Sequence, residues 1–131
     1  MRTILVVDDK EMMRDSVAST LQRAGMSVVT APDAPAALDL IARKRPDCVV
    51  SDFKMPGMTG LELVEKVQQI DQELPVIIMT AFGSIESAVR RIKAGAVDYL
   101  TKPFEGDEPI ITIKRAREAA RPARENAIPP A

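Results

Sequence analysis

A chain of 131 residues, 46% hydrophobic and 28% charged, has the size and make-up of one globular domain around a single core. A net charge of −1 speaks against a strongly basic nucleic-acid binder, and no apolar run approaches the roughly 20 residues that span a bilayer. There is no histidine, which excludes imidazole zinc sites and any Ser-His-Asp or Cys-His triad; the single cysteine, Cys48, excludes an internal disulfide and fits a reducing cytosol.

Met1-Arg2 leads directly into the β-branched run Thr3–Val7, too short for the apolar core of a signal peptide and continuous enough for a strand buried on both faces. Asp8-Asp9 follows at once. Met13, Val17, Leu21 and Ala24 then recur at helical spacing, and Gly25 stands where a helix ends. Ser27–Ala31 reads as the second strand, and Ala34–Lys44 as a helix carrying Leu38 and Ile41 that stops before Pro46. Asp47–Ser51 is the third strand, with Cys48 as a small core hydrophobe and Asp52 directly after it.

The stretch Lys54 to Gly60 holds a proline and glycines and is expected to be irregular. Leu63, Val67 and Ile70 mark a third helix. Leu74–Thr80 is the fourth strand, with Pro75 near its start, where a missing N–H does little harm. Ser84 caps a fourth helix bearing Ile85, Ala88, Val89 and Ile92, closed by Gly95; Asp98–Thr101 is the fifth strand. The last element is ambiguous locally. Ile110 to Ile113 has strand propensity, whereas Asp107 as cap, Pro109 in a first turn and the β–α alternation favour a helix running on through Lys114–Ala120. From Arg121 the chain turns to proline, alanine and charge, so residues 1–120 form the expected domain and 121–131 a tail or the start of a linker.

Strands alternating with helices predict a parallel sheet covered on both faces. In such a sheet Asp8-Asp9, Asp52, Thr80 and Lys102 all fall at the carboxyl edge, where open α/β sheets bind their ligands. Each has a plain alternative: a helix cap, a loop acid, ordinary strand propensity, a solvated lysine. Asp8-Asp9 would repel a phosphate unless a cation intervened, so the pair means a divalent ion or a structural cap. In a sheet ordered 2-1-3-4-5, Asp52 lies beside that pair, and three clustered carboxylates suit Mg²⁺, which prefers oxygen ligands. Lys102 could then neutralise an added phosphoryl group and Thr80 donate a hydrogen bond to it. Pro103 makes a cis peptide plausible in the turn after the fifth strand. Tyr99, the only tyrosine, reads as half-buried core.

The segments Val6-Val7-Asp8-Asp9, Ser51-Asp52-Phe53-Lys54-Met55-Pro56-Gly57-Met58-Thr59-Gly60, Met79-Thr80-Ala81 and Leu100-Thr101-Lys102-Pro103-Phe104 together resemble the receiver domain of bacterial two-component response regulators. The resemblance covers residues 2–120. The stretches Thr80 to Glu86 and Lys93 to Leu100 are most similar to receivers of NtrC/DctD-type sigma-54 activators. It implies a flavodoxin-like (CheY-like), doubly wound, five-stranded parallel sheet of order 2-1-3-4-5 with five helices. It also implies Asp52 as phosphoacceptor, with Asp9, Asp52 and the backbone carbonyl of Lys54 binding Mg²⁺ and Asp8 acting mostly through water. Lys102 pairs with the phosphoryl group, Thr80 moves to bond it, and Tyr99 swings into the space Thr80 vacates. The implied donor is a phosphohistidine on a sensor histidine kinase, and the implied readout is the face of helix 4, strand 5 and helix 5. A homodimer through that face or the C-terminal helix is expected, in the cytoplasm, with no direct contact to nucleic acid or membrane. An ATPase and DNA-binding effector has no room in 131 residues, so the chain is expected to be a stand-alone receiver or, preferably, a fragment.

Two positions depart from the common pattern. Lys10 follows the acid pair where another acid or a small polar residue is usual, which weakens the local negative charge. Phe82, two residues past Thr80, has no polar group to orient an attacking water, so slow self-dephosphorylation is expected. Three other readings fit less well. A haloacid-dehalogenase-type phosphatase needs an acid where Lys54 stands, and a flavin module needs a hydroxyl- and glycine-rich loop where Asp8-Asp9 stands. A pseudo-receiver would not need the full set of acids, threonine and lysine. The expected product is thus a signalling domain rather than an enzyme.

Overall fold

The computed structural model describes residues 3–53, 57, 59–71, 73–80, 97–101, 106 and 108–115. Its elements are β1 (Thr3–Val7), α1 (Glu11–Arg23), β2 (Ser27–Ala31), α2 (Ala34–Lys44), β3 (Cys48–Asp52), α3 (Gly60–Ile70), β4 (Val76–Thr80) and β5 (Val97–Thr101). A further helix spans residues 108–115. The strands form one five-stranded sheet of order β2-β1-β3-β4-β5, every pair parallel. The doubly wound sheet expected from the sequence is therefore present. The chain steps outward from β1 to β2, then returns past β1 to β3, and the β1/β3 junction is the switch point at which such sheets open a crevice.

The strand alternation sorts the core into two layers. Leu5, Val7, Val49 and Ile78 pack against Ala34, Ala37 and Ile41 of α2 and Leu63, Val64 and Val67 of α3. On the opposite face Ile4, Val6, Cys48, Val50, Ile77 and Met79 meet Val17 and Leu21 of α1 and Ile113 of the last helix. Each fully buried aliphatic side chain contributes about 1.5–3 kcal/mol. That double covering is why Ile4–Val7 of β1 is a continuous apolar run and β3 is buried along its whole length, while β2 is only partly buried.

Several local expectations shift. β3 runs one residue further, so Asp52 is its last residue rather than the residue after it. β4 begins at Val76; Pro75 precedes it, yet its carbonyl still accepts the Val49 N–H at 2.9 Å. Ile70 is not core: it ends α3 and is 52% exposed. Cys48 is fully buried, as a core hydrophobe should be. The helix over 108–115 overrides the local strand propensity of Ile110 to Ile113, because as a helix this segment lays Ile110 and Ile113 on the core. Residues 121–131 and the expected fourth helix beginning at Ser84 lie outside the described residues.

Candidate metal and phosphoryl site

Register builds the site. Val7 stands opposite Ser51, and Asp52 stands opposite Met79, so the step beyond Val7 brings Asp8 beside Asp52. Both acids continue the alternation of the layer that faces α1. Asp8 is fully buried and Asp52 is 7% exposed, whereas Asp9 lies on the surface. One carboxylate oxygen from each of the three lies within 4.8 Å of the others. Two unit charges at that distance repel by about 1 kcal/mol in water and by about 3.5 kcal/mol at the effective dielectric of a protein surface. The arrangement therefore favours a cation. Its donors are all hard carboxylate oxygens, and Mg²⁺ fits such a set.

The loop after β1 is held at several points. The Asp8 N–H donates to the Ala31 carbonyl (3.2 Å), which continues the strand pairing. The Lys10 N–H donates to Asp8 Oδ1 (2.9 Å), closing an Asx turn. Arg14, one turn into α1, donates from Nη1 to the Asp8 carbonyl (2.8 Å). Lys10 is the N-cap residue of α1 but makes no side-chain cap, since an ammonium cannot accept a hydrogen bond. At the other acid, Asp52 Oδ1 accepts the Phe53 N–H (3.0 Å), which also points to the Met79 carbonyl (2.9 Å). The Ser51 hydroxyl donates to the Asp52 carbonyl (3.0 Å).

Of the residues singled out from sequence, Asp8, Asp9 and Asp52 are thus brought together. Thr80 ends β4, paired with Thr101 and one step beyond the Asp52–Met79 pair, so its backbone stands at the same edge. Tyr99 lies in β5 opposite Ile78. Lys54, Phe82, Lys102 and Pro103 lie outside the described residues. Arg14 was not foreseen. Its only sequence signal is a basic residue one turn into the helix that follows an acid pair, and arginine on a helix usually reads as solvated.

Residues 4–114 match the family model described as the response regulator receiver domain. The transcriptional regulatory protein FixJ of Bradyrhizobium diazoefficiens is 42% identical over 120 residues, which is 92% of this chain and 58% of FixJ. The DNA-binding transcriptional regulator NtrC of Escherichia coli is 41% identical over 113 residues, or 86% of this chain and 24% of NtrC. The crystal structure of NtrX from Brucella abortus superposes with a TM-score of 0.86 at 38% identity, over 96% of this chain and 29% of that one. A parallel sheet with an acid cluster at its switch point, together with these matches, makes the chain a member of the response regulator receiver domain family. Its place is in two-component signalling, and the resemblance to NtrC-type receivers holds. The chain spans little more than half of FixJ and a quarter of NtrC. Among the described residues no helix is long and apolar enough to cross a membrane.

Proposed function

We propose that Asp52 is the phosphoacceptor of this receiver domain. The observation that carries the reading is the approach of the Asp8, Asp9 and Asp52 carboxylates within 4.8 Å, at the switch point of the sheet. In the transfer, a carboxylate oxygen of Asp52 attacks the phosphorus of a phosphohistidine. The P–O bond forms as the P–N bond breaks, and the imidazole leaves carrying a proton drawn from solvent. The donor is a phosphohistidine on a sensor histidine kinase, which agrees with the absence of histidine from these 131 residues.

Asp8, Asp9 and Asp52, together with Lys54, would hold Mg²⁺. When bound, the ion offsets the charge of the carboxylates and of the phosphoryl oxygens. The Phe53 N–H on Oδ1 orients the Asp52 carboxylate for attack. Lys102 pairs with the phosphoryl group, and the Thr80 hydroxyl donates to one of its oxygens. Phosphorylation adds roughly −1.5 to −2 charge near pH 7. Because Thr80 and Lys102 bind that charge better in one arrangement, the population of the face of helix 4, strand 5 and helix 5 shifts, with Tyr99 turning inward.

The receiver unit comprises residues 1–120, with 121–131 as a tail or the start of a linker. The names of FixJ and NtrC, both transcriptional regulators, support a role as the regulatory part of such a regulator; in this reading it works in the cytoplasm with a kinase, a second copy and an effector as partners. Incubation with Mg²⁺ and acetyl phosphate is expected to add one phosphoryl group to the wild type and none to Asp52→Asn, read by intact mass. A wild type that gains nothing where control receivers react would sink the proposal.

A further inference from the structure

Asp9 is the exposed member of the acid cluster, so its carboxylate stands where the backbone carries it. That backbone is the peptide joining the Asp8 carbonyl to the Asp9 N–H, which is planar and moves as one piece. The Asp8 carbonyl accepts from Arg14 Nη1 at 2.8 Å in a partly buried contact. Arg14 is itself placed by the first turn of α1, where its N–H donates to the Lys10 carbonyl at 3.0 Å. With Asp8 N–H on the Ala31 carbonyl and Asp8 Oδ1 on the Lys10 N–H, the N–H, the carbonyl and one carboxylate oxygen of Asp8 are each tied to a neighbouring residue.

We infer that Arg14 is a positioning residue of the acid cluster: its guanidinium sets the plane of the Asp8–Asp9 peptide and so keeps the Asp9 carboxylate in register with Asp8 and Asp52 for a shared divalent cation. The inference rests on the phosphoryl-switch reading above. Two effects of Arg14 compete. Its permanent charge, close to the cluster, lowers the attraction for a cation, while its planar fork, with charge-assisted bonding, fixes the ligand geometry. Mg²⁺ demands near-ideal geometry, so positioning outweighs the charge.

The test is Mg²⁺ binding by calorimetric titration, with the amide NMR shifts of Asp9 and Lys10 as a second readout. Arg14→Met keeps the stem and removes fork and charge, and is expected to bind Mg²⁺ roughly 10-fold more weakly than wild type. Arg14→Lys keeps the charge on a shorter side chain and falls between the two. Wild-type-like or tighter binding by Arg14→Met overturns the inference, as does a lowered melting temperature with unchanged Mg²⁺ affinity, which marks a merely structural arginine. Should Arg14→Met fail to fold, Arg14→Lys decides alone: weaker binding supports the inference, equal or tighter binding overturns it. A wild type that binds no Mg²⁺ removes the switch reading and this inference together, whereas a wild-type response left unchanged in the variants removes the inference only.

Discussion

Asp8 and Asp52 are buried beside each other with Asp9 at the rim, and like charges so placed repel one another. Asp52→Asn keeps the Oδ1 that accepts from Phe53 and removes one charge. In the absence of Mg²⁺ it is expected to be more stable than wild type by about 1 kcal/mol, roughly 4 °C in Tm. With Mg²⁺ at 100 times its Kd the wild type gains about 2.7 kcal/mol, and the variant loses most of that gain. Thermal melts with Mg²⁺ and with a chelator check both halves; an Asp52→Asn that melts below the metal-free wild type contradicts the repulsion argument. At Phe82, a carboxylate could orient a water, so Phe82→Glu is expected to release phosphate faster, as followed by loss of the phosphorylated mass. Release no faster than wild type contradicts the expectation that Phe82 slows self-dephosphorylation. The acids were legible in the sequence because residue type and strand end coincide. Arg14 was not, because its role depends on a contact with a backbone carbonyl that no pattern of side chains announces.

Elements were legible to within a residue or two where the apolar period was clear, as in β1, β2 and α2. Their ends follow from local chemistry. Gly25 sits at φ +88°, and its N–H and that of Met26 bond the Gln22 and Leu21 carbonyls, a Schellman close to α1. A methyl there meets nothing within 4 Å, so Gly25→Ala costs only the left-handed backbone, about 1 kcal/mol. Leu21→Ala, by contrast, empties a fully buried position and costs about 2–5 kcal/mol. Urea unfolding of the two variants is expected to rank them in that order, and a reversed order contradicts the packing described. Asp33 caps α2 by accepting the Ala36 N–H at 2.9 Å, and Thr59 caps α3 by accepting the Glu62 N–H at 3.2 Å. The helix over 108–115 was the hard case, since its β-branched residues favour a strand locally and only the core it covers decides the matter.

At the scale of the molecule, one parallel sheet explains why residues far apart in sequence share an edge. The β1/β3 pairing fixes Asp8 beside Asp52, and the β3/β4 and β4/β5 pairings carry the same edge on to Thr80 and Thr101. Sheet order was legible from β–α alternation together with the family resemblance; alternation alone leaves the order open, because it sets neighbours in sequence rather than in space. The central claim is that this edge accepts a phosphoryl group at one residue. An acyl phosphate reacts with borohydride to give a homoserine, which tandem mass spectrometry locates. After Mg²⁺-dependent phosphorylation and reduction, the account predicts a homoserine in place of Asp52 and nowhere else. A homoserine in place of Asp8 or Asp9, or none in a protein that carries the phosphoryl mass, would contradict it.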